Sequence, residues 1–196
     1  MKMLPVLFAV AACVLVATAA FGKGRNPNVD VVPVADVEGS TAEQAELHAA
    51  LLSWAVTLSG LPAPDRPPAV QRRPHAFFVG NACGGHECKV FGWFPPGETI
   101  YLDDRLEPRD SLLAASIVVH EMVHYLQYQA ARRSSQNGGE FSCVRTIELE
   151  RQAYGVQREF ITRYGVYHPI GASMHKVGCD TAATAAAAVA PWFSLD

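Results

Sequence analysis

The stretch IVVHEMVHYLQY, residues 117–128, places two histidines and a glutamate in a largely apolar segment. On a helix, residues four apart lie one above the other on the same face, so His120 and His124 can both reach one tetrahedral zinc ion. Glu121 lies beside the first histidine, where its carboxylate can reach a water molecule on that metal without being a ligand. The pattern therefore predicts a zinc site with His120 and His124 as ligands and Glu121 as general base.

Chance alone rarely produces this motif at this composition. With 7 His and 11 Glu in 196 residues, a random order gives roughly one match per hundred such chains. Two histidines and a glutamate in an apolar helix also cost several kcal/mol unless each has a partner. A bound cation would supply that partner, which favours metal binding over a purely structural role.

The chain as a whole has the size and charge of one exported domain. Its 196 residues are enough for a single core, and a net charge of -3 gives no basic surface for nucleic acid. Lys2, the apolar run from Leu4 to Val16 and the small residues before residue 21 predict a signal peptide at 1–20 and no stable membrane span. The protein is therefore expected to be periplasmic or secreted, with a lipoprotein anchored at Cys13 as the alternative.

The cysteines that follow the signal peptide are even in number: Cys83, Cys88, Cys143 and Cys179. In an exported chain this predicts two disulfides, with three possible connectivities, and disfavours a cysteine zinc site. Cys83 and Cys88 flank a short Gly-rich loop, so the expected pairs are Cys83–Cys88 and Cys143–Cys179.

The pattern of apolar residues and breakers predicts an α+β domain over residues 40–196, after a linker or extended lead-in at 21–39. Its small sheet packs on the buried helix that carries the His-Glu-x-x-His motif. Residues 61–74 are expected to form a proline-rich crossing loop. The strands are predicted at His75–Val79, Lys89–Phe94 and Thr99–Leu102. The helices are predicted from Ser40 to Gly60, from a cap at Asp110–Ser111 to an end at Gln136–Gly139, from Ser142 to Tyr164, and from Thr181 to Ala190.

A catalytic zinc needs a third protein ligand, and two glutamates on the helix after the motif are candidates. Glu148 and Glu150 are two residues apart, which on a helix is about 200° of rotation, so only one of them can face the metal. Glu148 shares its side with Arg145 and other polar residues, whereas Glu150 shares its side with apolar ones such as Ile147. We therefore expect Glu150 to be the ligand, with Glu148 as the alternative. His48 and His86 are expected to be packing or surface residues.

The motif at His120–His124, followed by Glu150-x-x-Ala153, resembles the gluzincin class of zinc metallopeptidases. In that class the third ligand is a glutamate on a following helix, often in a Glu-x-x-Ala-Asp setting, and the aspartate can orient a zinc-bound histidine. Here Tyr154 stands at the aspartate position, which leaves that role unassigned. The resemblance implies a zincin-like fold, one zinc ion, and a strand Thr99–Leu102 at the sheet edge where zincins lay out a peptide.

The resemblance implies hydrolysis of peptide bonds in a peptide or protein substrate by a zinc-activated water, with Glu121 as the base. The alternative function is a zincin-like scaffold or interaction protein that binds metal with weak or no catalysis. The oxyanion of the reaction needs a further donor, and the candidates that follow the third ligand are Tyr164, Tyr167, His168 and His175.

Overall fold

A computed structural model describes residues 41–134 and 142–179 of the chain. The expected signal peptide, the lead-in, the end of the motif helix at Gln136–Gly139 and the alanine-rich closing helix lie outside these residues. The described part is α+β, with four α-helices, a three-stranded sheet and a short 3-10 helix at Ala172–Lys176.

The first two long helices form where the sequence predicts them. Helix α1, Thr41–Ser59, ends before Gly60, whose φ of +68° is a left-handed conformation suited to glycine. Helix α3, Leu112–Arg133, starts after Ser111, whose hydroxyl accepts a hydrogen bond from the Ala114 amide at 3.2 Å. Every residue of α3 from 114 to 123 is buried, as its apolar sequence predicts.

The sheet differs from the prediction at its first two strands. The strand predicted at His75–Val79 is wrong, because helix α2 spans His75–Asn81. The first strand is instead β1, Ala69–Arg73, which lies within residues 61–74, where only a crossing loop was expected. The prolines of this region flank β1 without interrupting it, and β1 is an edge strand, where prolines next to the pairing residues are tolerated. Phe77 and Phe78, aromatic residues that favour a strand, belong to α2 instead, and Phe78 is fully buried.

The strand order also corrects one expectation. Strand β2 is only Gly92–Trp93, whereas β3, Thr99–Asp103, lies in the middle of the order β1-β3-β2. It pairs in parallel with β1 and antiparallel with β2, so the expected edge position of Thr99–Leu102 is wrong. The edge strand that packs against α3 is β2.

Helix α4, Cys143–Arg163, turns its apolar side toward α3. Ile147, Tyr154 and Ile161 on that side are buried, and Glu148 on the opposite side is exposed. Helix α1 contacts both α3 and α4, so the three long helices share one core. The helical phase predicted from the sequence for α4 is confirmed.

Two disulfides are present, one within a short loop and one between α4 and the segment that follows it. The structure pairs Cys83 with Cys88 and Cys143 with Cys179, as expected. The second bond ties the start of α4 to the end of the segment that follows it. Two disulfides are compatible with an extracellular location. Within the described residues no helix combines the length and hydrophobicity needed to cross a membrane.

Candidate metal centre

Three potential ligands from two helices converge at one point. The Nε2 atoms of His120 and His124 on α3 are 3.0 Å apart. The Glu150 carboxylate on α4 lies 3.5 Å from the first of these atoms and 3.3 Å from the second. A tetrahedral zinc ion with bonds of 2.0–2.1 Å separates its ligand atoms by about 3.3 Å. The three side chains therefore fit a single metal ion, and all three ligand atoms lie within 4.8 Å of one another.

The centre is buried on one side and reachable on the other. The His120 side chain is only 3% exposed, whereas those of His124 and Glu150 are 17% and 20% exposed. The group among the described residues supplies three ligand atoms, which is the number found in catalytic zinc sites that keep a position for water or substrate.

The ionisation of His124 is coupled to that of Glu150. Burial by itself would lower the pKa of His124, but the Glu150 carboxylate outweighs burial and raises that pKa to about 9. Burial would likewise raise the pKa of Glu150, but the two imidazoles hold it well below its usual range. Without a metal the pair is therefore imidazolium and carboxylate, and a metal ion would replace the proton.

Gln127 fixes the orientation of the His124 ring, a role that the sequence analysis missed. Its amide nitrogen donates to the backbone oxygen of Leu149 at 3.0 Å and to the side-chain oxygen of Gln152 at 2.9 Å. A backbone oxygen only accepts, so the amide oxygen of Gln127 must be the atom that faces His124 Nδ1 at 2.9 Å. Nδ1 then carries the hydrogen and Nε2 is directed to the metal position.

The expected base, Glu121, lies on α3 beside His120, and its carboxylate packs against β2 and the residue that follows this strand. It is 4% exposed, and the Phe94 backbone amide, next to β2, donates a hydrogen bond to its carboxylate. Gly92 in β2 leaves the space that this carboxylate fills, because a Cβ there would lie 2.9 Å from Glu121 Oε1. Burial raises the pKa of Glu121, although the two histidines and the Phe94 amide oppose the rise. Gly92 is a second residue that the sequence pattern did not reveal.

Tyr154 stands where the gluzincin pattern would have an aspartate, and its side chain contacts His120. Its ring packs edge-to-face on His120 with centroids 4.5 Å apart. Gly171 packs closely against the Tyr154 side chain, since a Cβ at residue 171 would overlap it. Tyr154 therefore confines His120 by packing, while hydrogen bonding to the second histidine comes from Gln127.

Glu148, the alternative third ligand, does not join the centre. Its side chain is 54% exposed and accepts a hydrogen bond from Arg145 at 3.1 Å. His48 is partly buried on α1 and His86 is exposed in the loop between Cys83 and Cys88. Neither belongs to the metal-ligand group.

The four expected oxyanion donors separate in the structure. Tyr164 packs against Trp54 and Phe160 at the end of α4. Tyr167 and His175 line a pocket that also contacts Tyr154. His168 is partly buried next to Tyr167 in the chain. Neither His168 nor His175 joins the three grouped ligands.

Comparison of the chain with family models, curated proteins and solved structures finds no match. The functional argument therefore rests on the geometry of the centre and on the chemistry of its residues.

Proposed function

We propose that the protein is an exported, zinc-dependent metallopeptidase of the gluzincin type with a zincin-like fold. The observation that carries the proposal is the convergence of His120, His124 and Glu150 with a buried, held carboxylate at Glu121. Two imidazoles and one carboxylate are a ligand set of catalytic zinc. A metal with only a structural role has no use for the adjacent base.

The side chains divide the work between holding the ion and moving a proton. His120, His124 and Glu150 would hold zinc, and bound zinc lowers the pKa of water toward ~7 and polarises a carbonyl. Glu121 accepts the proton of the attacking water and passes it to the leaving nitrogen of the cleaved amide. Its burial supports this role, because a raised pKa makes the carboxylate a better proton acceptor. The Phe94 amide keeps the carboxylate in one orientation.

The direct test compares the mature protein with Glu121→Gln in a digest of casein and of a peptide library. Wild type should cleave, and a chelator should stop the cleavage. Glu121→Gln should retain zinc and lose at least about a hundredfold in rate, since general-base catalysis contributes this much or more. Full activity of Glu121→Gln would refute the mechanism, and stoichiometric zinc without cleavage by wild type would instead support the metal-binding scaffold.

A second comparison tests the ligand set on the neighbouring glutamates. Glu150→Ala removes one of three ligands, so it should lower zinc content and affinity severely. Glu148→Ala is the matched control, because Glu148 is exposed on the opposite side of the same helix. Metal analysis of both dialysed proteins gives the answer. Equal zinc content in the two variants would exclude Glu150 as a ligand.

A further inference from the structure

A cavity of about 410 Å³ lies between α4 and the segment that follows it. The α4 side contributes Arg151, Tyr154 and Arg158, and the segment contributes Tyr167 and His175 among others. Two guanidinium groups thus line the cavity, and none of the described residues that line it is acidic. A cleft lined by positive charges without neighbouring negative charges attracts anions.

Arg151 and Arg158 differ from the five described arginines that form ion pairs with carboxylates, as Arg105 does with Asp103 and Arg163 with Glu159. Within the described residues, Arg151 and Arg158 donate to the backbone oxygens of residues 174, 177 and 170 and form no ion pair with a carboxylate. Backbone oxygens hold the side chains in place but do not neutralise their charge. A guanidinium has five N–H donors, so each arginine keeps donors for a further acceptor.

The cavity shares one wall residue, Tyr154, with the surroundings of the candidate metal centre. Arg151 directly follows the ligand Glu150 on α4. Tyr154 lines the cavity, and its ring packs on the ring of the ligand His120. Gly171 has a φ of +64° and packs against Tyr154, so the wall of the cavity at this point is fixed by close packing.

We propose that this cavity is a carboxylate-binding subsite that anchors an acidic group of the substrate beside the metal centre. The planar fork of arginine matches the two oxygens of a carboxylate. The inference rests on the proposed peptidase function, because it assigns the substrate class. The carboxylate can be the C-terminus of a peptide or an aspartate or glutamate side chain, and both present the same chemistry to Arg151 and Arg158.

The test measures binding of matched peptides to zinc-loaded Glu121→Gln protein, so that cleavage does not interfere. One acetylated peptide without acidic residues is made with a free C-terminus and with a C-terminal amide. In the amidated form, a single glutamate is moved through the sequence, and each version has a glutamine counterpart. Binding of at least one carboxylate peptide should exceed that of its neutral partner about tenfold or more. The position of the effective carboxylate distinguishes the C-terminus from a side chain.

Arg158→Gln should abolish this difference, because it removes the charge. Arg163→Gln is the matched control, since Arg163 is an exposed arginine of the same helix outside the cavity. Equal affinity for all charged and neutral pairs would overturn the inference, and this arm uses no arginine variant, so it does not depend on how Arg158→Gln folds. A carboxylate preference without cleavage by wild type would retain the subsite and refute the peptidase. Cleavage without a carboxylate preference would refute the subsite and support the peptidase.

Discussion

Replacing Gln127 by leucine tests how the ligand His124 is oriented. The change puts an apolar side chain of similar size in the buried position and removes the acceptor of the 2.9 Å hydrogen bond from His124 Nδ1. The imidazole would then lose its fixed rotation and its preferred tautomer. Loss of such an outer contact typically weakens metal binding 10–100-fold, which corresponds to roughly 1.4–2.7 kcal/mol. We expect zinc affinity to fall by this factor.

The assay is zinc competition with a chromophoric chelator, accompanied by urea unfolding of the metal-free proteins. Gln127→Leu also removes donors to Leu149 and Gln152, so the unfolding free energy should drop by about 1 kcal/mol. Gln157→Leu is the matched control, because Gln157 is a buried glutamine of α4 that bonds Ser116 on α3 and contacts no ligand.

A conservative variant separates orientation from packing. Gln127→Glu keeps an acceptor for His124 and should retain zinc affinity, even where the loss of the donor to Leu149 lowers stability. The reasoning is refuted if Gln127→Leu binds zinc as tightly as Gln157→Leu does. It is also refuted if Gln127→Glu loses as much affinity as Gln127→Leu.

Two further predictions concern the base and the sheet. Gly92→Ala should displace the Glu121 carboxylate and lower the hydrolysis rate about 10–100-fold with zinc content unchanged, whereas Gly80→Ala, which meets no atom within 4 Å, should leave the rate intact. Asp103 is fully buried and its pKa is lowered, because the hydrogen bonds from Arg105 and its other partners outweigh burial, which alone would raise it. The stability that the Asp103 carboxylate contributes to the fold should be present above pH ~4 and be lost as the pH falls through the lowered pKa. Asp103→Asn should therefore lower the free energy of unfolding in urea at pH 7 by about 2–4 kcal/mol, a value discounted for the 38% exposure of Arg105. The difference in unfolding free energy from wild type should shrink in acid. A difference that stays constant with pH would contradict the assignment.

The long helices could be predicted because their own sequence carries their signals. Leu112–Arg133 has a serine cap and an apolar run too long for a strand, and α4 alternates polar and apolar residues with the helical period. The same period places Glu150 on the α3 side and Glu148 in solvent. The helical patterns of α3 and α4, together with the rotation between Glu148 and Glu150, therefore predict which three side chains converge.

The sheet could not be predicted at the same level, because its strands are short and their identity depends on their partners. Ala69–Arg73 has little β-propensity of its own and becomes a strand by pairing with Thr99–Asp103, which follows it in the chain only after α2 and β2. Phe77 and Phe78 favour a strand by composition, yet the segment closes into a helix after Pro74. Gly92 beside Glu121 has no sequence signal at all, whereas Gln127, three residues after His124, could have been found from helical spacing.

In the proposed mechanism, metal binding and proton transfer depend on different contacts. The ligands and their orienting glutamine belong to the interface of α3 and α4, whereas the base is positioned by β2, through the space at Gly92 and the amide of Phe94. Changes at the helix interface should therefore alter zinc affinity and activity together. Changes at the sheet edge should alter activity alone. A protein that only binds metal has no reason to position a buried carboxylate beside the ligands, so an activity loss at Gly92 without zinc loss would favour the peptidase over the scaffold.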